Sequence, residues 1–388
     1  MKPKSILKFF ILAIIMLISG MQTFALSKQA EKEIQDIIKR NKTVGLAIVA
    51  VKDGKIIYNN TFGFKDLEHK TPLNKDNIFR IASISKSFTA SSIMQLVEAG
   101  KIDLDGDVSD YVGFKVRNPK YPDTKITIKM LLSHSSSLND SEGYFTLNVI
   151  NPDSTKTWAH AYNDYAPGSK YEYCNLGYNT LGTILEKVSG ERFDKYIVDH
   201  ILKPIGVYGG YEVNSLDSAK FVKIYQYQPK DSSYIWSEAA YAPRTQEIAN
   251  YKFGYSTPVL SPTGGMKISA QDLAKVMMMH MNLGKSGHKQ IISKSSAELM
   301  QSPIVKTDEG DDHYGFAIEI SNNLIDGLTM IGHTGSAYGV FTSMFWDAGR
   351  KFGFVVMTNG CNQRYDHGFM SIHRDVDQWL YKNFIKKH

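Results

Sequence analysis

Strand patterns crowd the two ends of this chain and helical patterns fill its middle, and that distribution narrows the fold more than any other feature. Residues 45–51 and 55–62 read as two strands. Asp53-Gly54 between them suits the left-handed positions of a two-residue hairpin loop. Near the other end, residues 314–320, 328–333, 340–346 and 352–358 read as four strands of an antiparallel meander. Asn322-Asn323, Gly335 and Asp347-Ala348-Gly349-Arg350 supply the breaks. One sheet built from both termini, with the intervening chain inserted, is the expected architecture. The fold class is α/β (α+β): an antiparallel sheet flanked by helices, with a mostly helical insertion.

Residues 26–112 and 261–388 would form the α/β region, and 113–260 the loop-rich insertion. Helical periodicity marks 28–40, 126–132, 176–188, 193–202, 270–284 and about 368–384. Ser269 with Asp272 starts the fifth of these. The methionines at 277 to 279 and 281 read as core filler. The tyrosine-rich stretch 214–256 lacks periodicity and is expected to line a substrate cleft. Asp103 to Asp107 reads as a polar turn and not a calcium loop, because the terminal glutamate of that pattern is missing.

Composition excludes little, but usefully. The 388 residues are 43% apolar and 22% charged, as in ordinary globular proteins. The formal charge of +6 includes Lys2, Lys4 and Lys8, and without those three it is +3. Nothing in that balance suggests nucleic acid. Residues 1–25 join those lysines to an apolar run from Phe9 to Ile18 and then to Thr23-Phe24-Ala25, which reads as a cleavable export signal. An exported protein, periplasmic or secreted, is expected, with no transmembrane segment after signal removal. Cys174 and Cys361 are read as free thiols.

Three stretches carry chemistry. The first is Phe79-Arg80-Ile81-Ala82-Ser83-Ile84-Ser85-Lys86. Residues three apart share a helix face, so Lys86 can lie beside Ser83 and activate a hydroxyl that is otherwise a weak nucleophile. Backbone N–H groups at a helix start favour developing negative charge. Alone, the pair reads first as a capped surface helix, because Ser-x-x-Lys is frequent by chance. The second is Tyr173-Cys174-Asn175, delivered by Pro167-Gly168. A phenol beside a lysine can act as a base, and an asparagine can both donate to a substrate carbonyl and accept from a lysine. A buried packing tyrosine reads the same way. The third is Gly332-His333-Thr334-Gly335-Ser336 at a strand end, where Gly335 admits close approach and the N–H of Ser336 can meet an oxyanion.

Taken together, Ser83-x-x-Lys86, Tyr173-x-Asn175 and His333-Thr334-Gly335 resemble, in order and spacing, the class C β-lactamase-like serine hydrolases. That group includes D-Ala-D-Ala carboxypeptidases, D-aminopeptidases and esterases. The resemblance extends over nearly the whole chain. Leu131-Leu132-Ser133-His134-Ser135-Ser136-Ser137-Leu138 is similar to the family's Leu-Leu-x-His-Thr-Ser-Gly-Leu segment, with Ser137 in the glycine's place. Gly177-Tyr178 with Leu181-Gly182, and Gly264-Gly265-Met266 with Asp272-Leu273, match further segments.

The resemblance implies a β-lactamase/transpeptidase-like fold. It implies Ser83 as acylated nucleophile, with Lys86 and Tyr173 as the proton-transfer pair. It implies Asn175, His333, Thr334 and Gly335 as substrate contacts, and the backbone N–H groups of Ser83 and Ser336 as oxyanion hole. His134 is read as structural and Cys174 as a small residue. No cofactor or metal is implied. The expected function is a D-Ala-D-Ala carboxypeptidase-like peptidase or an esterase; the alternatives are a class C-type β-lactamase and a non-catalytic module that binds peptidoglycan or β-lactams. A monomer acting on a small-molecule or peptide substrate, cell-wall peptide included, is expected. His333 stands where the family has a lysine. An imidazole with its ordinary pKa of about 6.5 would be charged part of the time, so carboxylate substrates should bind best in mild acid.

Overall fold

The computed structural model describes residues 27–308 and 310–386; the expected leader lies outside them. In chain order, the elements that position the site are α1 (Lys28–Arg40), β1 (Gly45–Lys52), β2 (Lys55–Asp66), β3 (Ile78–Arg80), α2 (Ser85–Glu98) and α3 (Asn175–Ser189). They continue with β4 (Lys267–Ser269), α4 (Ala270–Met281), β5 (Glu319–Ser321) and β6 (Met330–Ala337). The last are β7 (Val340–Asp347), β8 (Phe352–Thr358) and α5 (Ser371–Leu380).

Among the described residues, one nine-stranded antiparallel sheet contains β5, β6, β7, β8, β1 and β2 side by side, with short strands at both edges. β1 lies between its hairpin partner and β8, in a register running from Leu46 opposite Thr358 to Lys52 opposite Phe352. Asp53 (φ 49°) and Gly54 (φ 70°) both take left-handed conformations between paired Lys52 and Lys55. That is what a two-residue loop following the strand twist requires.

Alternation along β1 assigns its side chains to two cores. Leu46, Ile48 and Ala50, with Phe354 and Val356, pack under α1 and α5 against Ile34, Ile37 and Leu380. The Trp379 indole donates to the Ala30 carbonyl at 3.1 Å and ties the two terminal helices together. Ala47, Val49 and Val51 face the other way, into a larger core beneath α4 that runs on through α2 and α3. Met277, Met279 and Met281 are buried in it. A strand buried on both faces reads as a continuous apolar run, as Gly45–Lys52 does.

Several expected bounds shift. Residues 314–320 are not one strand. The chain pairs at His313–Tyr314, turns inward and pairs again at β5. Phe316, Ala317 and Ile318 are buried in that inward turn, Ala317 is left-handed (φ 58°), and the Phe316 N–H donates to Met300 O at 2.9 Å. Burial of the phenylalanine overrides the extended pattern. The strand expected over 328–333 starts at Met330 and continues to Ala337, so His333-Thr334-Gly335 lies inside β6 and not at its end. Its polar residues hid the ladder, in which Gly335 pairs with Thr342. The last helix starts at Ser371, after a short hairpin.

Candidate active site

Ser83 sits in a 3₁₀ turn, Ala82–Ile84, that leads into α2, and not in the helix itself. Ala82 is buried and left-handed (φ 47°), a conformation that costs a residue with a Cβ. The turn is pinned from both sides. Ile81 N–H donates to Met266 O at 3.0 Å, and Thr342 Oγ1 donates to Ile81 O at 2.9 Å. A Cβ on Gly335 would lie 2.2 Å from Ile81 O. Only glycine lets β6 pass this close, and the contact brings Ser336 alongside Ser83. Both line one cavity of about 570 Å³ with Tyr173, Asn175, His333 and Thr334.

Lys86, in the first turn of α2, is fully buried. Its Nζ lies 3.1 Å from Ser83 Oγ, 2.9 Å from Asn175 Oδ1 and 3.0 Å from Thr263 O. Burial pushes its pKa down to about 7, against an opposing pull from Asp140. Near neutrality the amine is therefore half unprotonated. A neutral amine has two N–H donors and one lone pair. It donates to Asn175 and Thr263, and the lone pair faces the Ser83 hydroxyl. That is the arrangement a serine nucleophile needs from its base.

Tyr173 lies against the same group, with Lys86 Nζ 4.6 Å from its ring centroid. Burial raises its phenol pKa, opposed by a hydrogen bond with Ser83. The phenol is thus held protonated, contrary to the expectation that Lys86 would favour phenolate. Desolvation dominates, and Asp140 and Glu319 add to it. Cys174 is buried, and its thiol pKa is pushed well up by burial and by Asp140. A thiol so held is no competing nucleophile.

Two residues that complete the site were not found from the sequence. Asp140 accepts the backbone N–H groups of Asn175 (3.0 Å) and Leu176 (2.9 Å) at the start of α3, and also Asn175 Nδ2 (2.8 Å). A carboxylate can only accept, so it turns the amide with Oδ1 toward Lys86. Thr263 Oγ1 donates to that same Oδ1 at 2.6 Å. Thr263 adjoins the recognised Gly264-Gly265-Met266 segment, which was a usable signal. Asp140 stands in a polar loop 35 residues from its partner and gave none.

His134 is structural, as read. Its Nδ1 accepts the Cys174 N–H at 3.1 Å, and its ring packs on Tyr173 with centroids 4.3 Å apart. Ser137 keeps the left-handed turn of the glycine it replaces (φ 64°), and its Oγ accepts from Asn118 at 3.0 Å.

His333 departs from expectation. It is only 4% exposed, and burial with help from Lys86 holds its pKa down to about 3. Nδ1–H donates to Thr334 O, and Nε2 accepts the Tyr314 hydroxyl at 2.9 Å. The neutral ring is fully satisfied and presents no charge near neutral pH. Residues 214–256 do not line the cavity. Its far wall comes from Thr307 to Glu319 and from Gly368-Phe369.

A family model described as Beta-lactamase matches residues 30–372. Protein flp of Staphylococcus aureus strain N315 is 32% identical over 183 residues, covering 46% of this chain and 36% of that protein. Penicillin-binding protein 4* of Bacillus subtilis strain 168 is 27% identical over 309 residues, covering 76% of this chain and 64% of that protein. The chain thus spans under two thirds of either relative. The octameric penicillin-binding protein homologue from Pyrococcus abyssi superposes with a TM-score of 0.71 at 28% identity, over 92% of this chain and 77% of the other. The fold, the Ser83–Lys86 pair and the extent of these matches lead to one assignment: the chain belongs to the β-lactamase family and has its β-lactamase/transpeptidase-like fold.

Proposed function

We propose that Ser83 forms an acyl-enzyme with small esters or amides and that water then releases the acid. The observation that carries this reading is Lys86 Nζ seated among Ser83 Oγ, Asn175 Oδ1 and Thr263 O. Neutral Lys86 takes the Ser83 proton as Oγ bonds to the carbonyl carbon. The resulting oxyanion is held by the N–H groups of Ser83 and Ser336. Protonated Lys86 then returns a proton through the Tyr173 hydroxyl to the leaving group, and the C–O or C–N bond breaks. Water repeats the sequence on the acyl-enzyme. Asn175 has one amide N–H left for the substrate once Asp140 holds the other, and Thr334 and Gly335 offer the strand edge.

The lining favours substrates without a carboxylate. Glu172, Asp308, Asp312 and Glu319 border the cavity, and no lysine or arginine stands among its described lining residues. With His333 neutral, an ester or an amide bearing a free ammonium group fits better than a peptide ending in carboxylate. A D-Ala-D-Ala carboxypeptidase-like peptidase is the second reading, favoured by the penicillin-binding names of the relatives. We also propose export directed by residues 1–25, and a monomer, to be checked by N-terminal sequencing and by light scattering.

The deciding experiment is fluorophosphonate labelling followed by turnover of p-nitrophenyl butyrate, D-alanine p-nitroanilide, a D-Ala-D-Ala peptide and a chromogenic cephalosporin. Label on Ser83, lost in Ser83→Ala, with turnover of the first two, is expected. Label elsewhere, or none, removes the reading and leaves a binding module. Preference for the D-Ala-D-Ala peptide selects the second reading.

A further inference from the structure

Behind the Ser83 turn lies a second cavity, of about 30 Å³, bordered by Arg80, Arg244 and Lys267. Lys267 on β4 is 4% exposed. Its ammonium reaches the carbonyl of Tyr211 and no acid. Arg80 on β3 donates Nε to Gly264 O (3.0 Å) and Nη1 to Ala240 O (3.2 Å), and its guanidinium lies 5.0 Å from the Tyr338 ring centroid. Arg244 lies 5.3 Å from the Phe145 ring centroid. Two carboxylates are near, but both are taken: Arg192 binds Asp194 with two hydrogen bonds and also binds Glu212, which borders the cavity. Among the described residues, no ion pair reaches Arg80, Arg244 or Lys267.

Charge drawn out of water without a counter-charge is costly, and here Lys267 is buried while Arg80 and Arg244 are half-buried. Lys267 can escape by losing its proton, and burial together with the two arginines does depress its pKa. Arginine has no such escape. Carbonyl dipoles and ring faces offset part of the cost, but the region keeps an excess of positive charge. The space is that of about one water-sized species, too little for a carboxylate-bearing metabolite.

We propose that this cavity binds one small inorganic anion of chloride size between Arg80, Arg244 and Lys267. The anion would do more than balance charge. Arg80 holds Gly264 O, and the preceding residue, Thr263, supplies the carbonyl that accepts from Lys86. Anchoring Arg80 therefore stiffens the segment behind the catalytic amine. The site does not depend on Ser83 being a nucleophile, because its readout is stability.

The test is thermal unfolding of the full chain at constant ionic strength, with sodium chloride replaced stepwise by sodium gluconate. A saturable rise in midpoint of about 2 °C or more with chloride is expected for wild type. Lys267→Met and Arg244→Gln should each abolish the chloride-specific part, whereas Lys220→Met, away from the cavity, should keep it. If Lys267→Met does not fold, Arg244→Gln carries the test. Crystals soaked in bromide should show an anomalous peak between the three cations. Equal midpoints in chloride and gluconate, or bromide absent from the cavity, would overturn the proposal.

Discussion

Two buried lysines stand on opposite sides of the Ser83 turn, and they differ in their company. Lys86 is ringed by oxygen acceptors: a hydroxyl, a side-chain amide oxygen and a carbonyl. Asp140 sits beyond the amide and draws the lysine's pKa back up. Lys267 has one carbonyl and two arginine neighbours that push its pKa further down. Burial alone would make the two alike. Burial offset by Asp140 leaves Lys86 near the midpoint of its titration at neutral pH, where a base both exists and is strong enough to use. The arginines push Lys267 the other way from Asp140's pull on Lys86, and no hydroxyl lies within its reach to act on.

The contrast breaks most visibly in activity. Lys86→Met should lower kcat/KM for p-nitrophenyl butyrate on the order of 10³-fold or more, while Lys267→Met should stay within about tenfold. Equal losses would mean that both lysines act only on stability. Next comes pH. Lys86 must be neutral to work, so wild-type kcat/KM should rise with pH through about 7, falling about tenfold per unit below that. A neutral ester and a carboxylate-bearing substrate should share this limb, since His333 stays uncharged down to about 3. A separate limb for the carboxylate substrate would restore His333 as its reader.

Asp140→Asn sharpens the pairing itself. Removing the charge moves the acid limb below wild type, and freeing the Asn175 amide should cut kcat by about 10- to 100-fold. A purely structural role for Asp140 would lower the melting temperature and leave the limb in place.

A smaller effect lies in stability against pH. An unfolded lysine stays protonated to about 10.4, whereas folded Lys86 loses its proton near 7. Between those values the unfolded state binds more protons, so stability should climb with pH. Urea titrations should show a shallower climb in Lys86→Met. Smallest of all, Ala82→Gly should relieve the left-handed strain and raise stability by up to about 1 kcal/mol in the same assay.

The hairpin at Asp53-Gly54 and the doubly buried Gly45–Lys52 strand were legible because local chemistry alone dictates them. The Ser83–Lys86 pairing was legible for the same reason, since three residues of spacing bring the two together. What escaped detection depends on distant partners. His333 has the same imidazole wherever it stands, and only Tyr314, Thr334 and burial make it neutral. Asp140 acts on a residue in another element. Residues 314–320 carry a strand pattern, but Phe316 is drawn into a core that other parts of the chain supply.

The pairing of β1 with β8 has a consequence for how this protein comes into being. Strand partners some 300 residues apart mean that the central ladder cannot close until all the chain between them has been made. Until Phe352–Thr358 emerges, the hairpin of β1 and β2 offers an open, apolar edge with nothing to close it. Contacts this remote in sequence also slow folding, because the chain between them must be ordered before they are rewarded. A chain stopped short of Thr358 would therefore be a substrate for chaperones and proteases rather than a smaller version of the same fold.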